Sequence, residues 1–221
     1  MKTVQRHDNW LDYIWAITRV AYYFLGLPSL LFIALASIIV YSSKGPTEPD
    51  AGMGFFFILV WCGILLPLGF RRLSIIRRRR QLKKMVALLT SDTRFSPQKQ
   101  HQVMDAGRGK YLGIDTRYGN ILFIHMVKKG VVDVIGLTMR DWTDRELEGS
   151  TLRINTKNPD VPVLSINAHP TVTKELYNTL SAMSHKRYTE SFPQEPWPLH
   201  VSLQSRFVEF EHDVVVPQAS N

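Results

Sequence analysis

Two long runs without a charged residue dominate the first third of the chain. Residues 20–43 read VAYYFLGLPSLLFIALASIIVYSS and residues 51–70 read AGMGFFFILVWCGILLPLGF. A helix needs about 20 mostly apolar residues to cross the hydrocarbon core of a bilayer. A soluble core helix rarely stays uncharged for that length, because one of its faces meets water. Both runs therefore read as transmembrane helices. The stretch between them, residues 44–50 (KGPTEPD), holds Gly45, Pro46 and Pro49. These suit a tight reversal, so the helices form an antiparallel hairpin. Gly26 and Pro28 permit a kink in the first span, since proline removes one helical hydrogen bond. Cleavage after Ala34-Leu35-Ala36, as in a signal peptide, would leave Ile38, Ile39, Val40 and Tyr41 as an apolar stub and is the weaker reading. Trp10, Tyr13 and Trp15 precede the first span, where they suit the headgroup region or the packing of a short amphipathic helix.

Beyond the second span, Leu73, Ile76, Leu82, Met85 and Leu89 recur at helical spacing, which carries a helix on to residues 90–92. From Gly109 the pattern changes to short runs rich in β-branched and aromatic residues. Residues 110–115 (KYLGID), 120–127 (NILFIHMV), 131–137 (VVDVIGL), 151–156 (TLRINT) and 161–167 (VPVLSIN) read as strands. Turns fall at Arg117-Tyr118-Gly119, Lys128-Lys129-Gly130 and Lys157-Asn158-Pro159-Asp160. Residues 141–149 read as an acidic loop. Val172, Leu176, Leu180 and Met183 predict an amphipathic helix over 171–183, starting near Thr171 or His169. Residues 190–221, with Pro193, Pro196, Pro198 and Pro217, read as an extended tail in which 207–210 and 214–216 could add a strand or pair with a partner. The predicted class is α+β: a two-helix transmembrane hairpin, then a small antiparallel β domain closed by a C-terminal helix. That order of elements resembles the pleckstrin-homology-like superfold and implies no function by itself.

Charge sharpens the layout. Across its 221 residues the chain carries a net charge of +8, but residues 1–70 hold four basic and four acidic groups and residues 85–221 hold fifteen of each. The excess lies in residues 71–84, where Arg71, Arg72, Arg77, Arg78, Arg79, Arg80, Lys83 and Lys84 meet no acid. Such a run can mark a nucleic-acid patch. Here it abuts the last apolar residue of a span, Phe70, so it reads as a collar contacting anionic membrane lipids. By the positive-inside rule, both termini are cytoplasmic and the loop at 44–50 lies outside. Cys62 is the only cysteine. It forms no internal disulfide, which fits a reducing compartment.

No catalytic constellation emerges: there is no nucleophile elbow, no Walker loop and no Cys or His metal spacing. Gly107-Arg108-Gly109-Lys110 is too short for a phosphate cradle and reads as a strand-entry turn. Asp141, Asp144, Glu146 and Glu148 lack the order of a calcium loop. The histidines at 101, 125, 169, 185, 200 and 212 are scattered. Trp142 is the one large aromatic flagged as a partner contact, with covering of a sheet edge as its ordinary alternative. The expected protein is a non-enzyme without cofactor, metal or nucleic acid.

The hairpin, the 71–84 collar and the following β domain together resemble the entry-exclusion (Exc-type) inner-membrane proteins of I-complex conjugative plasmids. The resemblance rests on layout over most of the chain, with no short motif. It implies a multi-pass bacterial inner-membrane protein that blocks redundant DNA transfer into a cell already carrying the plasmid. The implied partner is a polytopic membrane protein of the donor's transfer apparatus. A membrane-tethered adaptor binding lipid or peptide is the alternative. The expected divisions are 1–19 (cytoplasmic segment), 20–43 and 51–70 (spans), 44–50 (loop), 71–90 (basic juxtamembrane helix), 91–189 (β domain with closing helix) and 190–221 (Pro-rich tail).

Overall fold

A computed structural model describes residues 14, 17, 18, 20–43, 51–188 and 195–217. The expectations for Trp10, Tyr13, Trp15, the 44–50 loop and Pro193 fall outside the described residues. Ser74 and Ile75 divide the chain into two compact units.

In the first unit, a π-helical turn over Tyr22–Gly26 leads into helix α1 (Leu27–Ser43), and helix α2 begins at Ala51. Pro28 has no N–H to give the carbonyl four residues back, and the irregular turn falls there. The two helices meet at Ala34, Val60 and Ile64. Tyr22 Oη donates to the Gly63 carbonyl at 2.8 Å, and Leu30 lies against Gly63. The Arg71 guanidinium sits 5.1 Å from the Tyr23 ring. These pairs run in opposite chain directions, so the helices are antiparallel. Away from the contact the apolar side chains face outward, Phe24 at 79% and Phe32 at 74% exposure. A helix apolar on the side away from its packing contact lacks the polar face that water demands. Both helices are long and apolar enough to cross a membrane by length and composition.

The second unit begins inside α2, which continues to Leu89. Seven strands follow: β1 (Gln102–Asp105), β2 (Lys110–Asp115), β3 (Asn120–Lys128), β4 (Val131–Leu137), β5 (Trp142–Glu148), β6 (Thr151–Thr156) and β7 (Val163–Asn167). They form two antiparallel sheets in the orders β1-β2-β3-β4 and β5-β6-β7. Helix α3 (Pro170–Ser184) and helix α4 (Trp197–His212) complete the unit. One core, with Leu112, Ile114, Phe123, Leu152, Ile154 and Leu176, lies against α3. A second collects Tyr111, Leu122, Ile124, Val132 and Val134 under α2 and α4. Side chains alternate between faces along a strand, so β2, β3 and β4 bury both faces. That is why they read as nearly continuous apolar runs.

Three expectations are corrected. The acidic 141–149 segment is strand β5, paired with β6 from Trp142 to Glu148. The 190–221 tail contains α4, because Pro196 is its N-cap and Pro198 sits in its first turn, where no backbone donor is needed. The second compact unit starts at Ile75 rather than at 91, since Leu82, Met85 and Leu89 of α2 are at most 3% exposed in the second core.

Helix α4 lies directly on β4. A Cβ on Gly136 would come within 2.6 Å of Val201 Cγ2, so only glycine admits this approach. Trp197 donates its indole N–H to the Ile121 carbonyl at 2.9 Å and stacks on Phe95 at 5.1 Å. Asp213 ends the helix in the left-handed conformation, φ 49°. The chain then returns to β4, where Val215 bridges Val131 in parallel. Buried Asp115 fixes the β2–β3 turn by accepting the backbone N–H groups of Ser96 and Arg117, both at 2.8 Å.

Candidate functional site

The eight collar residues all lie on α2 with exposed side chains. Arg71 and Arg72 belong to the first unit, the other six to the second. At about 100° per residue, Arg77, Arg80 and Lys84 occupy the face opposite Leu82, Met85 and Leu89. A helix with one apolar and one cationic face follows directly from that spacing. Arg78 points elsewhere and donates to the Gly107 carbonyl at 3.0 Å.

Trp142 does not present itself for contact: it is 7% exposed and packed in the first core. Its neighbour Arg145 is held instead by rings and a hydroxyl. The guanidinium lies 5.7 Å from the Trp142 ring and 5.0 Å from the Tyr177 ring, and Nη2 donates to Ser181 Oγ at 2.8 Å. Asp144, Glu146 and Glu148 line the outer face of β5 at two-residue spacing. Successive same-face positions on a strand stand roughly 7 Å apart, too far for the three carboxylates to close on one cation. Glu148 instead pairs with Arg153 at 2.8 Å, and Asn155 donates to Glu146 at 3.3 Å. Among the described residues no three His, Cys, Asp or Glu side chains converge as metal ligands.

Two surfaces went unrecognised in the sequence. The first is an open groove of about 750 Å³ that brings together Arg94, Arg140, Lys186 and Arg187, with Glu195 as its acid. These four cations come from three separated places in the chain, so no local run announces them. Tyr188 forms one wall. Its ring lies so close over Gly119 that a Cβ there would approach Cγ to 2.6 Å, and Oη donates to the Thr116 carbonyl at 3.1 Å. Beside the groove, burial and the Arg94 charge hold the His200 pKa below its ordinary value. They outweigh Glu195, whose carboxylate lies 4.0 Å away and acts in the opposite sense. The groove suits anionic groups.

The second surface is the outer face of α4. Leu199, Leu203, Phe207 and Phe210 are 46%, 37%, 61% and 92% exposed, while Trp197, Val201, Ser205 and Val208 are buried on β4. The helix thus has two apolar faces, and the twofold pattern hid it: apolar residues at 197, 199, 201 and 203 alternate as in a strand.

Two apolar helices of membrane-crossing length, followed by an α+β unit that gathers cations and apolar groups at its surface, make an α+β protein whose layout suggests membrane association. The chain belongs to the exclusion-determining protein family, whose match covers residues 1–219 and so takes in both the apolar helices and the sheets. This is not an enzyme family. No curated protein and no solved structure matches the chain, so the pleckstrin-homology-like expectation stays a likeness in the order of elements.

Proposed function

We propose that this protein is a membrane-anchored recognition factor of plasmid entry exclusion, blocking redundant conjugative transfer into a cell that already carries the plasmid. The family match over residues 1–219 carries the reading. In this reading α1 and the first part of α2 cross the bacterial inner membrane, and both termini are cytoplasmic. The collar supports that orientation, because each cation near an anionic leaflet contributes about 1 kcal/mol and resists translocation. The partner is a polytopic membrane protein of the donor's transfer apparatus. Nucleic acid is not the partner: outside the collar, residues 85–221 balance fifteen basic against fifteen acidic groups, and DNA binding draws on a net basic surface.

Conjugation into recipients expressing the protein, with levels checked by blot, tests the function. Fewer transconjugants are expected from a donor bearing a related plasmid and unchanged numbers from an unrelated one. Equal numbers from every related donor would sink the reading. The orientation is tested separately with alkaline phosphatase fusions. Activity is expected for a fusion within residues 44–50 and none for a fusion after Asn221; an active fusion at Asn221 reverses the topology.

A further inference from the structure

We infer that the cationic groove of the second unit is the recognition site for an extended, acidic polypeptide segment of the partner protein. The inference rests on the recognition reading proposed above and names the chemistry that would hold the partner. Five segments converge on the groove: the turn after α2, the β2–β3 turn, the β4–β5 connection, the end of α3 and the start of α4. Loops brought together on a fixed scaffold are where recognition residues concentrate.

The positive charge of the groove is left uncompensated. Asp141 and Asp115 stand beside it in the chain, but both spend their carboxylates locally. Asp141 accepts the Thr138 N–H at 2.7 Å and the Thr138 hydroxyl at 2.6 Å. Asp115 accepts the N–H groups of Ser96, Arg117 and Tyr118. Among the described residues no hydrogen bond or ion pair holds the Arg140 or Arg187 guanidinium, and both residues are exposed. Arg94 gives one long bond to the Glu195 carbonyl at 3.4 Å, and the Lys186 ammonium lies 5.0 Å from the Tyr188 ring. Four cations thus face one acid, a local surface of one sign that attracts an anionic partner. The lining is also fixed in advance. Asn120 donates to the Arg94 carbonyl at 3.0 Å, and Tyr188 and Trp197 are tied to Thr116 and Ile121. Little ordering is left to oppose binding.

The donors select carboxylates on a chain over a single phosphate. Phosphate sites draw on clustered backbone N–H groups. Here the N–H groups of Tyr118, Gly119, Thr138, Arg140 and Lys186 are already given to acceptors within the chain, and Pro196 has none. What remains is a set of side-chain cations on three separate segments, three of the four being arginines. A guanidinium matches a carboxylate with two parallel bonds. An extended segment carries same-side carboxylates roughly 7 Å apart, so one segment can meet several cations in turn.

Fluorescence anisotropy with the full chain in a non-ionic detergent tests the site. The probe is a rhodamine-labelled peptide alternating glutamate and threonine, and its control replaces every glutamate with glutamine. The wild-type chain is expected to bind the glutamate peptide about tenfold more tightly than the control. Arg140→Ala with Arg187→Ala should abolish that preference with unchanged circular dichroism, since neither guanidinium is tied to the fold. Arg79→Ala with Arg80→Ala, in the collar, should preserve it. Equal affinity of the wild-type chain for the two peptides overturns the proposal, as does an equal loss in the groove and collar variants. Inorganic pyrophosphate or phosphatidylglycerol vesicles serve as competitors. If either occupies the groove more tightly than the peptide, with the same dependence on Arg140 and Arg187, the site belongs to phosphate and the acidic segment is refuted. None of these readouts uses conjugation, so failure of the groove and failure of the exclusion reading are separable.

Discussion

A fragment starting at Ser91 is expected to stay unfolded in water, whereas one starting at Ile75 is expected to fold cooperatively. The difference lies in three side chains of α2. Leu82 and Met85 are fully buried and Leu89 is 3% exposed, all in the core that also holds Tyr111, Ile124 and Val134. Truncating one buried Leu or Met to alanine costs about 2–5 kcal/mol. A whole domain is stable by only about 5–15 kcal/mol. Losing all three, together with the helix that carries them, therefore consumes most or all of the margin. Urea titration followed by circular dichroism decides it. A sigmoidal transition is expected for the Ile75 fragment and a featureless slope for the Ser91 fragment. Equal midpoints for the two would show that the end of α2 is dispensable.

Trp197→Ala is the single substitution expected to damage the second unit most, by about 3–5 kcal/mol. The indole is 5% exposed, stacks on Phe95 and donates to the Ile121 carbonyl. Its loss opens a cavity between α4 and the first sheet and strands a buried acceptor. Trp197→Phe keeps most of the apolar volume and loses the hydrogen bond, for a smaller cost of about 1–3 kcal/mol. Urea midpoints of the Ile75 fragment bearing each change measure the order. If alanine and phenylalanine cost the same, hydrogen bonding rather than packing holds α4 in place.

Elements whose own residues demand their conformation were legible in the sequence. Strands β2, β4 and β6 occupy the residues that their β-branched runs predict, and His169 caps α3 as its position suggests. Strand β7 starts two residues later than the pattern implies, at Val163, just after Pro162, which has no N–H to give a ladder. What stayed hidden depends on distant partners. Strand β5 is rich in acids, which disfavour strands intrinsically, and exists because β6 pairs with it. The prolines before α4 look like breakers until their place in the first turn is known. Burial of Trp142 came from the same source: an aromatic beside acids looked exposed, and only the pairing of β5 turns its ring inward. The collar was readable because eight cations stand together in the chain. The groove cations at 94, 140, 186 and 187 meet only after folding.

Strand β5 has a further consequence. It is the edge of its sheet and seven residues long, a length at which open backbone groups can template the addition of another chain. Its outer face carries Asp144, Glu146 and Glu148, and its pairing slips between Trp142 and Asp144. Like charges that would confront each other across a new ladder are repulsive, and the slip bends the edge out of line. A second strand of the same kind adding to this edge would set these carboxylates against their own counterparts, so the edge resists pairing with another copy of itself.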